Sequence, residues 1–471
     1  MIENFKCPKR GIQKYLKNYS VIEISLRGII RMAERLGRGL GDSLGLSLTY
    51  SASKVVNSVE FVISDQDQEV LRTLAKKVAE IAARPIESEK RKLWYQHNDL
   101  EDTRPMIFCD PENGWYEIIT PDQLLCEGDL ARIWEFKLRK EIFWGEQMGD
   151  DRVIEPIFKV QYVFREIGRG MQETIIGGGG NGSYRWDAPL KDYSELESLH
   201  FQKIEIDYGG TDRLLNLARE VFSDFLKVEL EGYWWWSLGL TTSLVNLRGI
   251  EQVMLDMYDH PNELHRLMAF LRDEALLLLD FLEANYLLSL NNQGTYVGSG
   301  GFGYTHQLPQ KDFNGIKVRT QDMWGFSESQ ETVLVSPNLF AEFIFPYQLP
   351  ILERFGLNCY GCCEPLDKRW SIISQAPRLR RVSVSAWANE RDLAEKLGEN
   401  YLFSRKPNPS DLSFPKIDEE YIRKGLRETL EATRGCHVEL IMKDNHTIGR
   451  NPENVIRWCQ IAREEAERIR G

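Results

Sequence analysis

The last third of this sequence alternates regularly between strand-like and helix-like segments, and this alternation constrains the fold most. Apolar runs that predict strands lie at about residues 355–361, 380–386, 400–404 and 436–443. Between them, segments at about 366–375, 390–397 and 417–433 have helical patterns, and Asn451-Pro452 marks the start of a last helix. Repeated strand–helix units predict a parallel sheet covered by helices. The alternation fits a closed (β/α)8 barrel and a doubly wound open sheet equally well.

The sequence upstream of this alternation predicts fewer elements. Apolar residues recur at helical spacing from Leu71 to Ile81, and Pro85 ends that run. A weaker helical pattern covers residues 22–36. The stretch 100–190 mixes short strand-like pieces with turns, such as the one at residues 110–114. We interpret it as an insertion or cap beside the main fold. Val333 to Val335 are predicted to be extended, with a helix starting at Pro337.

Charge and hydropathy exclude several classes of protein. The chain has 59 Lys and Arg against 71 Asp and Glu, a net charge of −12, which argues against a general nucleic-acid or membrane-surface binder. No apolar run approaches the roughly 20 residues of a membrane helix. The N-terminus lacks the apolar stretch of a signal peptide. We therefore expect a cytoplasmic protein.

Three of the eight cysteines, Cys359, Cys362 and Cys363, fall within five positions at the predicted end of a strand. Ligands bind at that edge in parallel α/β folds, and thiolates are favoured ligands of Zn²⁺. No second closely spaced pair exists to complete a four-cysteine site, so we predict an open site completed by a residue from elsewhere. Cysteines packed as small apolar side chains, or a redox pair, are the alternatives.

A histidine follows the last predicted strand, in the segment Lys443-Asp444-Asn445-His446-Thr447-Ile448-Gly449. We predict that His446 faces the same edge as the cysteines and acts as a metal ligand or as an acid and base. Asp444, His446 and Gly449 also match the DxHxxG pattern of cobalamin-binding domains. Only 22 residues follow Gly449, and they read as one helix. The chain is therefore expected not to bind cobalamin tightly on its own.

An acidic, aromatic segment at residues 322–332 is interpreted as a loop that contributes to the same site. We predict that Glu331 ligates the metal or moves a proton, and that Trp324 and Phe326 wall an apolar substrate pocket. His306 is assigned provisionally to this pocket. Three consecutive indoles, Trp234 to Trp236, cannot all face one core, so Trp235 is assigned to the pocket as well. Aromatic walls suit an aryl methyl ether, or a quaternary ammonium through cation–π contact.

Two glycine-rich stretches match the dinucleotide-binding fingerprint by spacing alone. One has Gly177, Gly179 and Gly182, and the other has Gly298, Gly300 and Gly303. Neither stretch opens a predicted helix, whereas a bound pyrophosphate needs a helix N-terminus. We predict flexible loops, or loops of close backbone approach, at a barrel mouth instead of a nucleotide site.

From about residue 230 onward, the chain resembles the uroporphyrinogen-decarboxylase superfamily. Its segment 326–346 is similar to the strand–helix unit that precedes the metal loop of that family. Tyr360-Gly361-Cys362-Cys363 falls on the His-x-Cys-Gly metal loop of the corrinoid-dependent methyltransferase branch, which places Cys362 at the cysteine ligand. The Arg-Gln-Ala-Gly-Arg signature of the true decarboxylases is absent.

The resemblance implies a (β/α)8 TIM barrel over residues 191–471, preceded by an N-terminal extension and cap over residues 1–190. It implies a zinc-dependent methyltransferase that moves a methyl group between a small donor, such as an aryl methyl ether undergoing O-demethylation, and a corrinoid carried by a separate protein. The implied metal ligands are drawn from the cysteine cluster and His446. Zinc with one open position would stabilise a poor leaving group.

Two other functions stay open on the sequence. A cofactor-free decarboxylase of the same fold would need cationic side chains for the substrate carboxylates, and Lys317, Arg319 and Arg405 are candidates. A non-catalytic binding protein with structural cysteines is the third.

Overall fold

The computed structural model describes residues 60–171, 174–177 and 184–470. The helix predicted at 22–36, together with Gly179 and Gly182 of the first glycine-rich stretch, lies outside these residues. No helix in the described part of the chain is long and apolar enough to cross a membrane.

Most strands of the described chain pair in parallel. In chain order the strands are β1 Met106–Cys109, β2 Ile157–Gln161, β3 Phe164–Ile167, β4 Thr174–Gly177, β5 Tyr184–Asp187, β6 Lys203–Ile206, β7 Lys227–Glu231, β8 Trp324–Ser327, β9 Leu357–Tyr360, β10 Leu379–Val384, β11 Leu402–Arg405 and β12 His437–Met442. Six form one parallel sheet in the order β1-β12-β11-β10-β9-β8. β2 pairs in parallel with β7. β3 with β6, and β4 with β5, form antiparallel ribbons.

Helices separate most of the parallel strands and establish an α/β protein. They are α1 Asp65–Ala82, α2 Pro85–Asn98, α3 Trp115–Ile118, α4 Asp129–Phe143, α5 Tyr208–Phe222, α6 Thr241–Arg248, α7 Ile250–Asp259, α8 Pro261–Ala284, α9 Pro337–Phe343, α10 Phe345–Leu352, α11 Trp370–Ile373, α12 Glu390–Leu397, α13 Glu419–Ala432 and α14 Glu453–Arg470. Each long helix buries one apolar face; α1 buries Leu71, Val78 and Ile81 at helical spacing. Proline at the first turn starts α2, α8 and α9.

The main sheet is buried on both faces, as expected for parallel strands covered by helices. All four residues of β1, β8, β9 and β11 are buried. Because the strands are parallel, their carboxyl ends meet at one edge of the sheet. The segments that follow β1, β8, β9 and β12 therefore start at the same edge, and they carry Glu112, Glu328, Cys362 and Lys443. This edge positions the candidate site.

The strands predicted over the last third are confirmed at β9, β10, β11 and β12, and the helices predicted at 390–397 and 417–433 are confirmed at α12 and α13. The extended segment predicted at Val333 to Val335 is wrong. These residues form a turn, and the strand lies upstream at β8, in the segment interpreted as a loop. An apolar, β-branched run favours a strand, but Val333 and Leu334 are exposed and gain no packing from one.

The segment 100–190, interpreted as an insertion or cap, contributes β1 and β2 to the parallel strands. β1 pairs with β12, the last strand of the chain. Its four residues, Met106 to Cys109, stand outside the regular strand–helix alternation that marks the equally short β9 and β11. The division at residue 190 stays a prediction.

The second glycine-rich stretch packs against the sheet, in agreement with the prediction of close backbone approach. A Cβ atom on Gly298 would lie 2.9 Å from the Cβ of Cys359, and one on Gly303 would lie 1.8 Å from the backbone oxygen of Asn291. Gly298, Gly300 and Gly301 also have positive φ angles, of 69°, 125° and 92°. This loop places Ser299 beside Cys362.

We expect Gly298→Ala to lower the free energy of unfolding by about 2–4 kcal/mol, because the new methyl group meets Cys359 and the positive φ adds strain. Gly315→Ala is the matched control. Gly315 also has a positive φ, 79°, but a Cβ there would meet nothing within 4 Å. Denaturant unfolding should show a loss of about 1 kcal/mol for the control. Equal losses in both variants would show that packing against Cys359 is unimportant.

Candidate functional site

Two adjacent thiols lie where β9 ends. Cys362 is fully buried, and its Sγ accepts a hydrogen bond from the Oγ of Ser299 at 3.1 Å. The Sγ atoms of Cys362 and Cys363 are 3.5 Å apart. The thiol of Cys363 donates to Oδ2 of Asp444 at 3.4 Å. Asp444 follows β12, so the pair joins two strand ends of the main sheet.

A buried lysine lies beside the thiols at this edge. The Nζ of Lys443 lies 3.3 Å from Oδ1 of Asp444, 3.6 Å from Oε1 of Glu112 and 3.4 Å from Oγ of Ser299. Burial alone would lower the pKa of Lys443, but the negative charge of Asp444 and its neighbours holds it well above the ordinary value. Burial raises the pKa of Glu112, against the opposing charge of Lys443.

The two carboxylates beside Lys443 are held by unusual backbone. Glu112 has a φ of 49° and Asp444 a φ of 61°, in the left-handed region that non-glycine residues rarely adopt. Such conformations cost roughly 1–3 kcal/mol each and cluster at functional sites. The ammonium of Lys443, which lies between the side chains of these two residues, is therefore assigned to the candidate site.

A cavity of about 60 Å³ lies between β7 and β8. Trp235, Trp324 and Phe326, three of the four residues predicted to bind substrate, all line it. Its other lining residues include Glu231, Tyr233, Trp234, Trp236, Asn291, Tyr296 and Gly298. Phe326 and Trp324 pack in one apolar cluster with Cys359 and Cys362. The structure thus brings the predicted aromatic wall and the predicted cysteines together.

Tyr296 lines the cavity, and its hydroxyl is close enough to Lys443 to feel the charge of that side chain. Its hydroxyl is buried and has no hydrogen-bond partner among the described residues. Burial raises the pKa of Tyr296 well above its usual value, opposed by the positive charge of Lys443, so the hydroxyl stays protonated near neutral pH. A protonated phenol can donate a hydrogen bond or a proton.

Cys359 lies within β9, where its Sγ is 3.9 Å from Nη1 of Arg381. Arg381 pairs with Glu439 below the strand ends, with 2.9 Å between Nε and Oε1. Burial raises the pKa of the Cys359 thiol to about 11, partly offset by Arg381. Cys359 therefore packs as a neutral thiol in a buried ionic network. It lies within β9, whereas the Cys362–Cys363 pair follows that strand.

Three predicted residues lie outside this assembly. His446 is exposed, and no hydrogen bond joins it to the cysteines in the described chain. His306 is also exposed, stacks on Tyr95 and lies 2.8 Å from Oδ2 of Asp99, through its Nδ1. Glu331 accepts hydrogen bonds of 2.7 Å from the hydroxyls of Thr241 and Thr242, in the first turn of α6. Their predicted roles stay predictions.

The described side chains fit a zinc ion poorly. No group of three or more His, Cys, Asp or Glu side chains within them is arranged to hold a metal. Beside Cys362 and Cys363 stands Asp444, whose carboxylate already faces the ammonium of Lys443. A divalent cation there would meet that positive charge. The zinc site stays a prediction, and no step below is derived through a metal.

The residues that sequence reasoning missed are Lys443, Glu112, Ser299 and Tyr296. Lys443 is the last residue of a predicted strand, which is the signal that would have found it. Glu112 comes three residues after β1, a strand that lies outside the predicted alternation. Ser299 and Tyr296 lie in or beside the glycine-rich loop, and nothing local indicates that this loop packs against β9.

Comparison with known proteins adds little. No protein-family model matches the chain. A ribosome-recycling factor from Wigglesworthia glossinidia brevipalpis is 28% identical over 121 residues, which are 26% of this chain; the match spans 57% of that relative. A methyltransferase from Methanosarcina mazei aligns at a TM-score of 0.45 and 10% identity, over 81% of this chain and 99% of that structure. Likenesses this weak assign neither family nor activity.

Proposed function

We propose that this protein is a (β/α)8-barrel methyltransferase that moves a methyl group between a small donor and a corrinoid carried by a separate protein. The observation that carries the proposal is the small aromatic cavity with a buried, unpartnered phenol beside the charged carboxyl edge. Methyl transfer needs an enclosed apolar space for the donor and a proton for the group that leaves.

Strand order supports closure of the sheet into a barrel. The six strands of the main sheet follow the order expected for the first and the fourth to eighth strands of such a barrel, with β1 beside β12. β2 and β7 then supply the second and third strands, and their pairing is also parallel. Active sites of these barrels lie at the carboxyl ends of the strands.

The chain's own residues would hold the donor and move a proton. The aromatic side chains that line the cavity exclude water; Trp236 contacts Phe326 edge-to-face, with ring centroids 5.0 Å apart. The hydroxyl of Tyr296 would protonate the leaving oxygen, and the charge of Lys443 would stabilise the phenolate that results. The corrinoid, bound to its own carrier, would supply the nucleophile that takes the methyl carbon.

The carboxyl edge also exposes apolar side chains that suit a protein partner. Leu334, Trp387 and Phe414 are 81%, 71% and 62% exposed. They lie in the segments that follow β8, β10 and β11, three strands of one sheet whose ends meet at this edge. Exposed large apolar residues at the edge that carries a site suit contact with a protein partner when they form one patch. This placement supports docking of a carrier protein over the edge.

The three cationic side chains predicted to bind substrate carboxylates in a decarboxylase are engaged elsewhere in the structure. Arg319 pairs with Asp312 and Asp322 at 2.7 and 2.8 Å. Arg405 pairs with Glu390 and donates to backbone carbonyls. Lys317 lies near the ring of Tyr286, away from the cavity. The packing of Cys359 as a neutral thiol beside Arg381 fits the structural alternative for that cysteine.

The proposal is tested with free cob(I)alamin as the methyl acceptor. Purified protein is mixed with it and with ¹³C-methyl donors: methanol, dimethyl ether, methylamine or methoxybenzene. We expect methylcobalamin to form from at least one donor, measured by absorbance and by the ¹³C signal, at least about 10-fold faster than without protein. No enzyme-dependent methylcobalamin from any donor would contradict the proposal. His446→Ala in the same assay tests the predicted role of that exposed side chain.

A further inference from the structure

Cys362 and Cys363 form a pair of neighbouring thiols that reaches solvent through one of its members. Their Sγ atoms are 3.5 Å apart. Cys362 is fully buried, whereas Cys363 is partly exposed. The thiols of Cys109 and Cys459 also meet, between β1 and α14, but both of those residues are buried. Of these two pairs, the one after β9 is therefore the one that a reagent in solution reaches first.

The turn that carries the pair is fixed by hydrogen bonds and by close packing. The N–H of Cys362 donates to Oε2 of Glu364 at 2.9 Å, and its carbonyl oxygen accepts from the hydroxyl of Ser383 at 2.9 Å. Gly361, just before the pair, has a φ of 90°, and a Cβ atom there would lie 2.5 Å from Leu366. The pair is thus preorganised, so a ligand that uses both sulfur atoms loses little entropy in ordering them.

A direct bond between the two sulfur atoms is disfavoured because the residues are adjacent. Neighbouring Cα atoms are about 3.8 Å apart across a trans peptide, whereas disulfides prefer Cα distances of about 4.4–6.8 Å. The sulfur atoms would also have to approach from 3.5 Å to about 2.05 Å. A disulfide in this turn would therefore be strained and readily reduced.

The distance between the thiols instead suits a single atom held by both. Two sulfur atoms bonded to one centre at about 2.3 Å, with an angle of about 100–110° between the bonds, lie about 3.5–3.8 Å apart. A zinc ion needs two further ligands, and the ammonium of Lys443 opposes a divalent cation at this edge, where it lies 3.3 Å from Asp444. A trivalent arsenic atom differs from zinc because two thiols and one organic group complete its three bonds, and the product is neutral.

We infer that Cys362 and Cys363 form a vicinal dithiol site that captures an organic trivalent arsenical through both sulfur atoms. With an arsine oxide, R–As=O, the two S–H bonds and the As=O bond break, and two As–S bonds form. The oxygen leaves as water with both thiol protons, and arsenic stays trivalent, so no oxidant or reductant is needed. Attack starts at the partly exposed Cys363, and Cys362 then closes the ring in an intramolecular step. This capture is independent of methyl transfer.

The probe is phenylarsine oxide, added in equimolar amount to the purified, reduced protein, and intact mass spectrometry measures the product. We expect one adduct that is heavier than the protein by the mass of the reagent less one water. Attachment through two sulfur atoms should make it at least about 100-fold more resistant to the monothiol glutathione than an adduct of one thiol. Dimercaptopropanol, a dithiol, should remove it.

Variants and peptide mapping locate the adduct. Cys362→Ser and Cys363→Ser should each lose the resistance to glutathione. Cys436→Ser is the matched control and should keep it, because Cys436 is also partly exposed but its thiol contacts the backbone oxygen of Ala394 at 3.6 Å. Peptide mapping of the unaltered protein, which needs no variant to fold, should place arsenic on the peptide that contains both residues.

Four results would overturn the inference. They are release of the adduct from the unaltered protein by glutathione alone, a resistant adduct in Cys362→Ser, arsenic mapped to Cys109 and Cys459, and a bound zinc ion that protects Cys362 and Cys363 from the reagent.

Discussion

Tyr296→Phe is expected to reduce methyl transfer to cob(I)alamin by about 10²- to 10⁴-fold, the usual effect of removing a general acid. The hydroxyl has no partner among the described residues, so its removal breaks no native hydrogen bond. The ring remains packed near Phe108 and Phe302, at centroid distances of 6.0 and 6.4 Å. The thermal unfolding temperature should therefore change little while turnover falls.

Tyr233→Phe is the matched control, because Tyr233 lines the same cavity. Burial, then the charge of Glu231, raises the pKa of its phenol, and Lys443 has no part in that shift. Without the lysine to stabilise its phenolate, Tyr233 is a poorer acid, and turnover of this variant should fall less than about threefold. Similar losses in both variants would show that the cavity needs polar walls in general, and Tyr296 would lose its assigned role.

Glu439→Ala is expected to lower the free energy of unfolding by about 3–5 kcal/mol, because it leaves a buried guanidinium without its counter-charge. Glu439 accepts from Nε of Arg381 at 2.9 Å, lies 3.3 Å from Nε2 of His97 and accepts from the hydroxyl of Ser404. These contacts link β12 to β10, to β11 and to α2. All four side chains are buried.

The same network predicts an acid dependence of stability. Burial would raise the pKa of Glu439, but Arg381 and His97 lower it to about 2, from an ordinary value of 4.5. The folded pKa lies below the unfolded one, so the ionised carboxylate stabilises the fold above about pH 4.5. This contribution, about 3 kcal/mol, is lost as the pH falls from 4.5 towards 2.

Chemical unfolding between pH 3 and 7 measures this loss, and Glu439→Gln should flatten the dependence. Glu464→Gln is the control, because Glu464 pairs with Arg423 and Arg457 on the exposed face of α14 and should change stability by less than about 1 kcal/mol. An unchanged pH profile in Glu439→Gln would contradict the assignment.

Much of the α/β architecture was predictable because each helix and strand depends on the pattern of a few neighbouring residues. The strands β9 to β12 and the helices α12 and α13 follow apolar periods of a few residues, and each period reports which face of an element is buried. The regular alternation with helices marks β9 and β11, although each has only four residues. β1 and β8 are equally short and stand outside that alternation, which is why β1 was interpreted as part of a cap and β8 as part of a loop.

Part of the candidate site was also predictable. Cys362 and Cys363 were placed at a strand end, and the structure puts them there. The aromatic residues Trp235, Trp324 and Phe326 were assigned to one pocket, and they line one cavity. The exposure of His446 and His306 was not predictable, and neither was the pairing of Glu331 with α6. All three residues lie in loops or turns, where the direction of a side chain depends on the local backbone.

The sequence by itself determined that strands alternate with helices, that cysteines end one strand, and that aromatic residues are abundant nearby. Only the tertiary structure decided that Lys443 lies between Glu112 and Asp444, and that Ser299 reaches Cys362. Residues 112 and 443 are distant in the chain and meet because β1 pairs with β12. A periodicity reports the burial of one element, whereas a site made of several strand ends depends on which strands are neighbours, and that is set by packing of the whole sheet.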